Sequence, residues 1–169
     1  TGSTILRDIK SMPEGILLWR GLLQWIGGVG IIVMAISILP VLQVGGMQVF
    51  RTESSDTTEK ILPRTAQVSF AVIIIYISLT ALCFISYWLS GMRLFESLVH
   101  SMTTIATGGF STRNDSFASF NNRSTEYIAI LFMILSSLPI LIYLEVTRNG
   151  IKSFFRDTQI KTFIKILIF

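Results

Sequence analysis

The stretch from Ser101 to Thr112 holds the residues best suited to chemistry in this sequence, and that chemistry belongs to the backbone. It reads S-M-T-T-I-A-T-G-G-F-S-T, with two glycines between a threonine and a phenylalanine. Glycine at position 109 can adopt a positive φ, which a residue with a β-carbon would resist. Backbone carbonyls arranged in rings replace the hydration shell of a potassium ion. The stretch therefore predicts a cation pore lined by the carbonyls of Ala106 to Gly109, and the alternative is an ordinary pair of loop glycines.

A short helix must position this turn. The helix-like run Met92–Ile105 would reach only about 21 Å as a helix, too short to cross a bilayer. A helix that enters and then turns through glycines exposes backbone at membrane depth, where it must be buried in protein or line a watery cavity. Complete crossing would instead carry the basic tail of the chain outward, against the positive-inside rule. A re-entrant helix is therefore predicted.

The composition indicates an all-α integral membrane protein. Hydrophobic residues make up 51% of the chain and charged residues 14%. Apolar runs of spanning length are expected over Gly15–Val44, Thr65–Leu89 and Glu126–Val146. Pro63 is expected to open the second helix, and Pro139 to interrupt the third. The net charge is +4, but the basic residues form no stripe that alternates with aromatic residues. Nucleic-acid binding is therefore excluded.

Small residues within the predicted spans have two further expected roles. Three glycines near the middle of the first span favour close helix packing in lipid over a simple kink. The hydroxyls of Ser136 and Ser137 can satisfy carbonyls that Pro139 leaves free. Ser124 and Thr125 are expected to cap the third span. The three glycines are Gly27, Gly28 and Gly30.

Two pairs of polar residues near the glycines admit a catalytic or electrostatic role. Glu96 and His100 stand four apart on one helical face, which could form half of a metal or acid–base site. Without a second histidine, a buried hydrogen-bonded pair that braces the short helix is favoured. Arg113 and Asp115 could act on cations at the outer mouth, but a solvated surface pair is favoured.

Several stretches carry a resemblance to a known family. Thr107-Gly108-Gly109-Phe110 resembles the threonine-x-glycine-aromatic core of a potassium-channel selectivity filter. Nearly the whole chain is similar to the TrkH/KtrB superfamily of potassium transporters. The stretches that carry the similarity are G-I-L-L-W-R-G-L-L-Q-W-I-G-G-V-G-I-I-V-M at 15–34, L-P-V-L-Q-V-G-G-M-Q-V-F-R-T-E at 39–53 and T-T-I-A-T-G-G-F-S-T at 103–112.

The resemblance implies a subunit of four repeats, each with an outer helix, a pore helix, a filter and an inner helix, around one pore. Residues 1–62 would end the first repeat, residues 63–148 would form the second, and residues 149–169 would lead into the third. The chain is thus expected to be a fragment that does not conduct alone. The implied ion-binding filter residues are Thr1, Gly2, Ala106, Thr107, Gly108, Gly109 and Phe110, with potassium held at Thr107, Gly108 and Gly109.

The resemblance also implies function and partners. The whole protein is expected to take up potassium across the cytoplasmic (inner) membrane, without a cofactor and without enzymatic activity. Its expected partners are potassium ions, membrane lipid, the remaining repeats, a second copy in a homodimer and a cytosolic nucleotide-binding subunit like TrkA. Ser111 stands where a potassium channel has its second filter glycine, so weaker discrimination against sodium is expected.

Two other classes of function stay open. One is a membrane hydrolase that uses Glu96 and His100, against which the lack of a nucleophile–base pair counts, since Ser101 faces another side of the helix. The other is a structural or regulatory membrane subunit with no pore of its own, which would tolerate substitution of Gly109.

Overall fold

The computed structural model describes residues 4, 8–42, 58–151, 154 and 157–168. Thr1 and Gly2, which the family resemblance assigns to a filter, lie outside these residues. The regular secondary structure of the described part is helical, and that part contains no strand. Its helices are α1 Glu14–Leu42, α2 Thr58–Leu89, α3 Leu94–Ile105, a 3-10 helix Ser116–Phe120, α4 Arg123–Ser137, α5 Ile140–Asn149 and α6 Thr158–Ile168.

Helices α1 and α2 provide the long apolar segments of the fold. The windows Glu14–Met34 and Gln67–Leu89 are long and apolar enough to cross a membrane. Many of their large apolar side chains point outward, as lipid-facing residues do. The first prediction is confirmed within two residues at each end. The second was wrong at its start, because α2 begins at Thr58 and Pro63 lies inside the helix.

The short helix α3 occupies the centre of the fold. It has 12 residues, of which eight are buried, and it packs against α1, α2 and α4. At about 1.5 Å per residue it is about 18 Å long and cannot cross a bilayer. The Tyr87 hydroxyl on α2 bonds the Thr104 hydroxyl near the end of α3 at 2.9 Å, inside the protein. The prediction of a short helix that stops before the glycines agrees with this arrangement.

The third predicted span is two helices, α4 and α5, separated at Leu138 and Pro139. Pro139 has no N–H, so the carbonyl of Leu135 loses its helical donor; it receives the Leu138 N–H at 3.3 Å and the Tyr143 hydroxyl instead. The Ser136 and Ser137 hydroxyls both donate to the carbonyl of Met133, at 3.1 and 2.7 Å. The predicted interruption is confirmed, and it is a complete break.

The start of α4 differs from the prediction. The helix begins at Arg123, and its cap is Asn122, whose side-chain oxygen accepts the Ser124 N–H at 3.0 Å. The Asn122 amide also donates to the carbonyl of Ser90 at 2.8 Å. Asparagine is as good a cap as serine, and this one additionally ties α4 to the end of α2.

Candidate ion-binding site

The turn formed by residues 106–110 follows the end of α3 directly. Three of its N–H groups donate to carbonyls of the helix, Ala106 to Met102 at 3.1 Å, Thr107 to Thr104 at 3.0 Å and Gly108 to Thr103 at 2.9 Å. The φ angle is 50° at Thr107 and 81° at Gly109, whereas Gly108 between them does not have a positive φ. The prediction of a positive φ at Gly109 is confirmed.

The 106–110 turn lies against one face of α1. Arg20 places its guanidinium carbon 4.4 Å from the centre of the Phe110 ring. One helical turn later, the Gln24 side-chain oxygen accepts the Phe110 N–H at 3.2 Å. A further turn along, a β-carbon at Gly28 would meet the Ala106 β-carbon at 3.3 Å and the Tyr76 hydroxyl at 2.8 Å. Residues 20, 24 and 28 share a helix face, so α1 and the turn run antiparallel.

The contacts of Gly27, Gly28 and Gly30 in α1 test whether these glycines serve close helix packing, as the sequence predicted. Gly28 allows the close approach of α1 to α2 and to the 106–110 turn. At Gly27 and Gly30, an added β-carbon would meet nothing within 4 Å among the described residues. The packing prediction is therefore confirmed for Gly28 and not supported for the other two.

His100 fastens the segment after the turn to α3. Its Nδ1 lies 2.9 Å from the Glu96 carbonyl and its Nε2 lies 3.1 Å from the Ser111 hydroxyl. A carbonyl can only accept, so Nδ1 carries the proton and Nε2 of a neutral ring accepts from Ser111. The Ser111 oxygen accepts the Arg113 N–H at 3.1 Å. The imidazole is fully buried, and the rings of Phe117 and Phe120 stand edge-on to it.

Glu96 and Arg113 form a second link between α3 and the same segment. One Glu96 oxygen accepts both Arg113 Nε at 2.9 Å and Nη2 at 2.8 Å. Arg113 also donates to the carbonyl of Ser119 at 3.3 Å and lies over the Phe120 ring. The prediction of a solvated pair was wrong for Arg113, whose partner is the buried Glu96 on α3. The predicted pairing of Glu96 with His100 was half right, because the histidine bonds the glutamate's carbonyl and not its carboxylate.

The hydrolase alternative gains a serine–histidine contact that the sequence did not reveal. Ser111 and His100 are within hydrogen-bond distance, whereas the Ser101 hydroxyl donates to the Leu98 carbonyl. The other ring nitrogen of His100 bonds a backbone carbonyl, that of Glu96. The imidazole is enclosed by Phe117 and Phe120. Within the described residues, no three His, Cys, Asp or Glu side chains cluster to hold a metal. The imidazole is fully buried, and the arrangement braces the loop against α3.

A cavity of about 440 Å³ lies where α3 ends, beside the 106–110 turn. The turn contributes Ala106 and Thr107, and the break between α4 and α5 contributes Leu138 and Pro139. Thr107 and Gly109 are exposed on this single chain. Chemically, the arrangement can offer backbone carbonyls and the negative end of the α3 dipole to a cation.

The chain matches the model of the TrkH family, described as cation transport proteins, over residues 1–167. The chain belongs to this family. It is 42% identical to the Trk system potassium uptake protein TrkI of Halomonas elongata, over 99% of this chain and 34% of that protein. It is 37% identical to TrkH of Escherichia coli K12, over 98% of this chain and 35% of that protein. The crystal structure of the potassium transporter TrkH from Vibrio parahaemolyticus superposes with a TM-score of 0.84 at 35% identity, covering 99% of this chain and 33% of that one.

Membership in this family confirms several expectations. The chain spans about a third of the length of the relatives that it matches. The all-α membrane fold and the location in the cytoplasmic membrane follow from the TrkH family and its solved structure. The family is one of transport proteins, so the prediction of a non-enzyme is confirmed as well.

Proposed function

We propose that the complete protein takes up potassium across the cytoplasmic membrane and that the 106–110 turn is one quarter of its selectivity filter. The carbonyls of Ala106, Thr107, Gly108 and Gly109 would replace water around the ion, and Phe110 would anchor the turn behind them. Thr1 and Gly2 would contribute the equivalent part of the preceding repeat. The names of the relatives, which are potassium uptake proteins, support this proposal.

The observation that carries the proposal is the backbone of the turn. Thr107 and Gly109 have positive φ angles on either side of Gly108, and both residues are exposed on the described chain, so the backbone of the turn is open to an ion. A threonine in the left-handed region costs about 1–2 kcal/mol, and such strain persists where the surroundings impose it, often at functional sites. The contacts from α1 and the hydrogen bonds into α3 supply those surroundings.

The remaining repeats, a second copy in a homodimer, membrane lipid and a cytosolic nucleotide-binding subunit like TrkA belong to the same proposal. The four repeats are needed because a single turn cannot surround an ion. Residues 1–62, 63–148 and 149–169 are accordingly proposed as the end of one repeat, a complete repeat and the start of another. This piece alone is expected not to conduct. Ser111 stands in the place of a second filter glycine, and its hydroxyl bonds His100. This contact supports a filter with a shorter run of ion-binding carbonyls, which would discriminate less against sodium.

The test is rubidium uptake by cells that lack their own potassium uptake systems. The full reading frame is expressed as wild type, as Gly109→Ser and as Gly91→Ser, with membrane levels matched. Gly91 is the control because its φ is +97°, so a serine at this position would meet the same backbone strain. It lies in the turn between α2 and α3, away from the site. We expect Gly109→Ser to lower uptake or selectivity over sodium and Gly91→Ser to do neither. Equal behaviour of all three proteins would favour the non-conducting structural or regulatory subunit.

A further inference from the structure

Gln24 does more than pack against the 106–110 turn, because its side chain occupies the space in which a side chain on residue 108 would lie. An ideal β-carbon built on Gly108 would overlap the Gln24 side-chain amide, at Cδ and Nε2. A side chain at position 108 would have to displace this amide from its present place. The space that a filter residue's own side chain would occupy is therefore filled from α1, 84 positions earlier in the chain.

The same amide satisfies the backbone on the next peptide. Its Oε1 accepts the Phe110 N–H at 3.2 Å, so the side chain of one residue both supports Gly108 sterically and fixes the orientation of the peptide between Gly109 and Phe110. That peptide carries the Gly109 carbonyl, which points opposite to the N–H because the peptide is planar and trans. A donor held toward Gln24 therefore directs the Gly109 carbonyl away from α1.

The contacts on either side of Gln24 fix which residues of α1 lie beside which residues of the turn. Eight helical steps, from Arg20 to Gly28, rise about 12 Å. The contacts at both ends, Arg20 with Phe110 and Gly28 with Ala106, thus place the whole turn along this face of α1. Gln24 sits at the midpoint, where it meets Gly108.

We propose that Gln24 is a positioning residue for the filter, which sets the direction of the Gly109 carbonyl and so the preference for potassium over sodium. This inference rests on the proposed function of the 106–110 turn. The contact of Gln24 with the turn also connects two repeats, because in the proposed arrangement α1 is the inner helix of one repeat and the turn is the filter of the next. A change in the position of α1 would then change the position of the ion-binding carbonyls.

The experiment measures inhibition of rubidium uptake by sodium in the full-length protein, with membrane levels matched. Gln24→Leu keeps the approximate volume and removes the acceptor, and Gln24→Glu keeps an acceptor oxygen. We expect Gln24→Leu to increase sensitivity to sodium about three- to tenfold, the effect of one neutral hydrogen bond, and Gln24→Glu to restore part of the difference. Gln67→Leu is the control, since Gln67 is exposed on α2. A structural role alone would lower the level of the protein and leave the competition by sodium unchanged.

A pair of substitutions tests directly whether the Gln24 amide occupies the space beside Gly108. Gly108→Ala alone is expected to lower uptake and selectivity, because the new β-carbon displaces the Gln24 amide from the Phe110 N–H. Gly108→Ala together with Gln24→Ala removes the overlap and is expected to regain measurable uptake with poor selectivity. If the double variant is no better than Gly108→Ala and Gln24→Leu keeps wild-type competition by sodium, the inference is overturned. If Gly109→Ser is also silent, the filter itself is wrong; if Gly109→Ser is impaired, the filter stands and only the role of Gln24 falls.

Discussion

The ion pair between Glu96 and Arg113 should be unequal in its response to mutation, because its two ends differ in exposure. The side chain of Glu96 is 10% exposed and that of Arg113 is 35% exposed. Removal of the arginine leaves a carboxylate enclosed by protein, whereas removal of the carboxylate leaves an arginine that water can reach. A buried group that loses its partner bears the full cost of desolvation.

The magnitudes follow from the bonds. Arg113→Met removes two charge-assisted hydrogen bonds to Glu96 and the contact with Phe120, which together are worth about 2–3 kcal/mol after allowance for the exposed arginine. Glu96→Gln keeps an acceptor oxygen and loses only charge, so it should cost about 1 kcal/mol. The double variant should cost less than the sum, because no buried carboxylate remains.

The assay is the temperature at which the detergent-solubilised full-length protein loses its monodisperse peak in size-exclusion chromatography. We expect the order wild type, Glu96→Gln, Arg113→Met, from most to least stable. The double variant is expected to lose less stability than the sum of the two single losses. Arg123→Met, at the exposed start of α4, is the control for the loss of an arginine. An Arg113→Met protein as stable as Glu96→Gln would refute the argument from burial.

Two further predictions concern α1 and the outer loop. Gly28→Val should abolish rubidium uptake or expression because its β-carbon meets the Tyr76 hydroxyl and Ala106. Gly27→Val should be tolerated because none of the described residues lies within 4 Å of its β-carbon. Equal uptake by the two variants would contradict the packing of α1 against the turn. The amide of Asn114 donates to the Asp8 carboxylate and lowers the pKa of Asp8, so this link is favourable at neutral pH and is lost as the pH falls through the lowered pKa. Carboxyl NMR should show a higher Asp8 pKa in Asn114→Ala, and an unchanged value would mean that the amide does not hold the carboxylate.

The sequence was sufficient for features that depend on local chemistry. The lengths of apolar runs predicted α1, α3 and most of α2, since bilayer thickness and helix rise alone relate length to crossing. Pro139 predicted the break between α4 and α5, because the missing N–H is a property of the residue itself. The glycine pair predicted the positive φ at Gly109, and the family resemblance predicted the fold that the solved relative shares.

Only the tertiary structure decided which side chains support the turn. The partners of the 106–110 turn on α1 lie more than 75 positions away in the sequence, and nothing local to Gln24 marks it as the group that replaces a side chain at Gly108. Arg113 was assigned to solvent because its neighbours are polar; it reaches Glu96 only because the chain folds back over α3 after the turn. Contacts of this kind depend on where helices pack, and packing in three dimensions is not encoded in the period or spacing of any one segment.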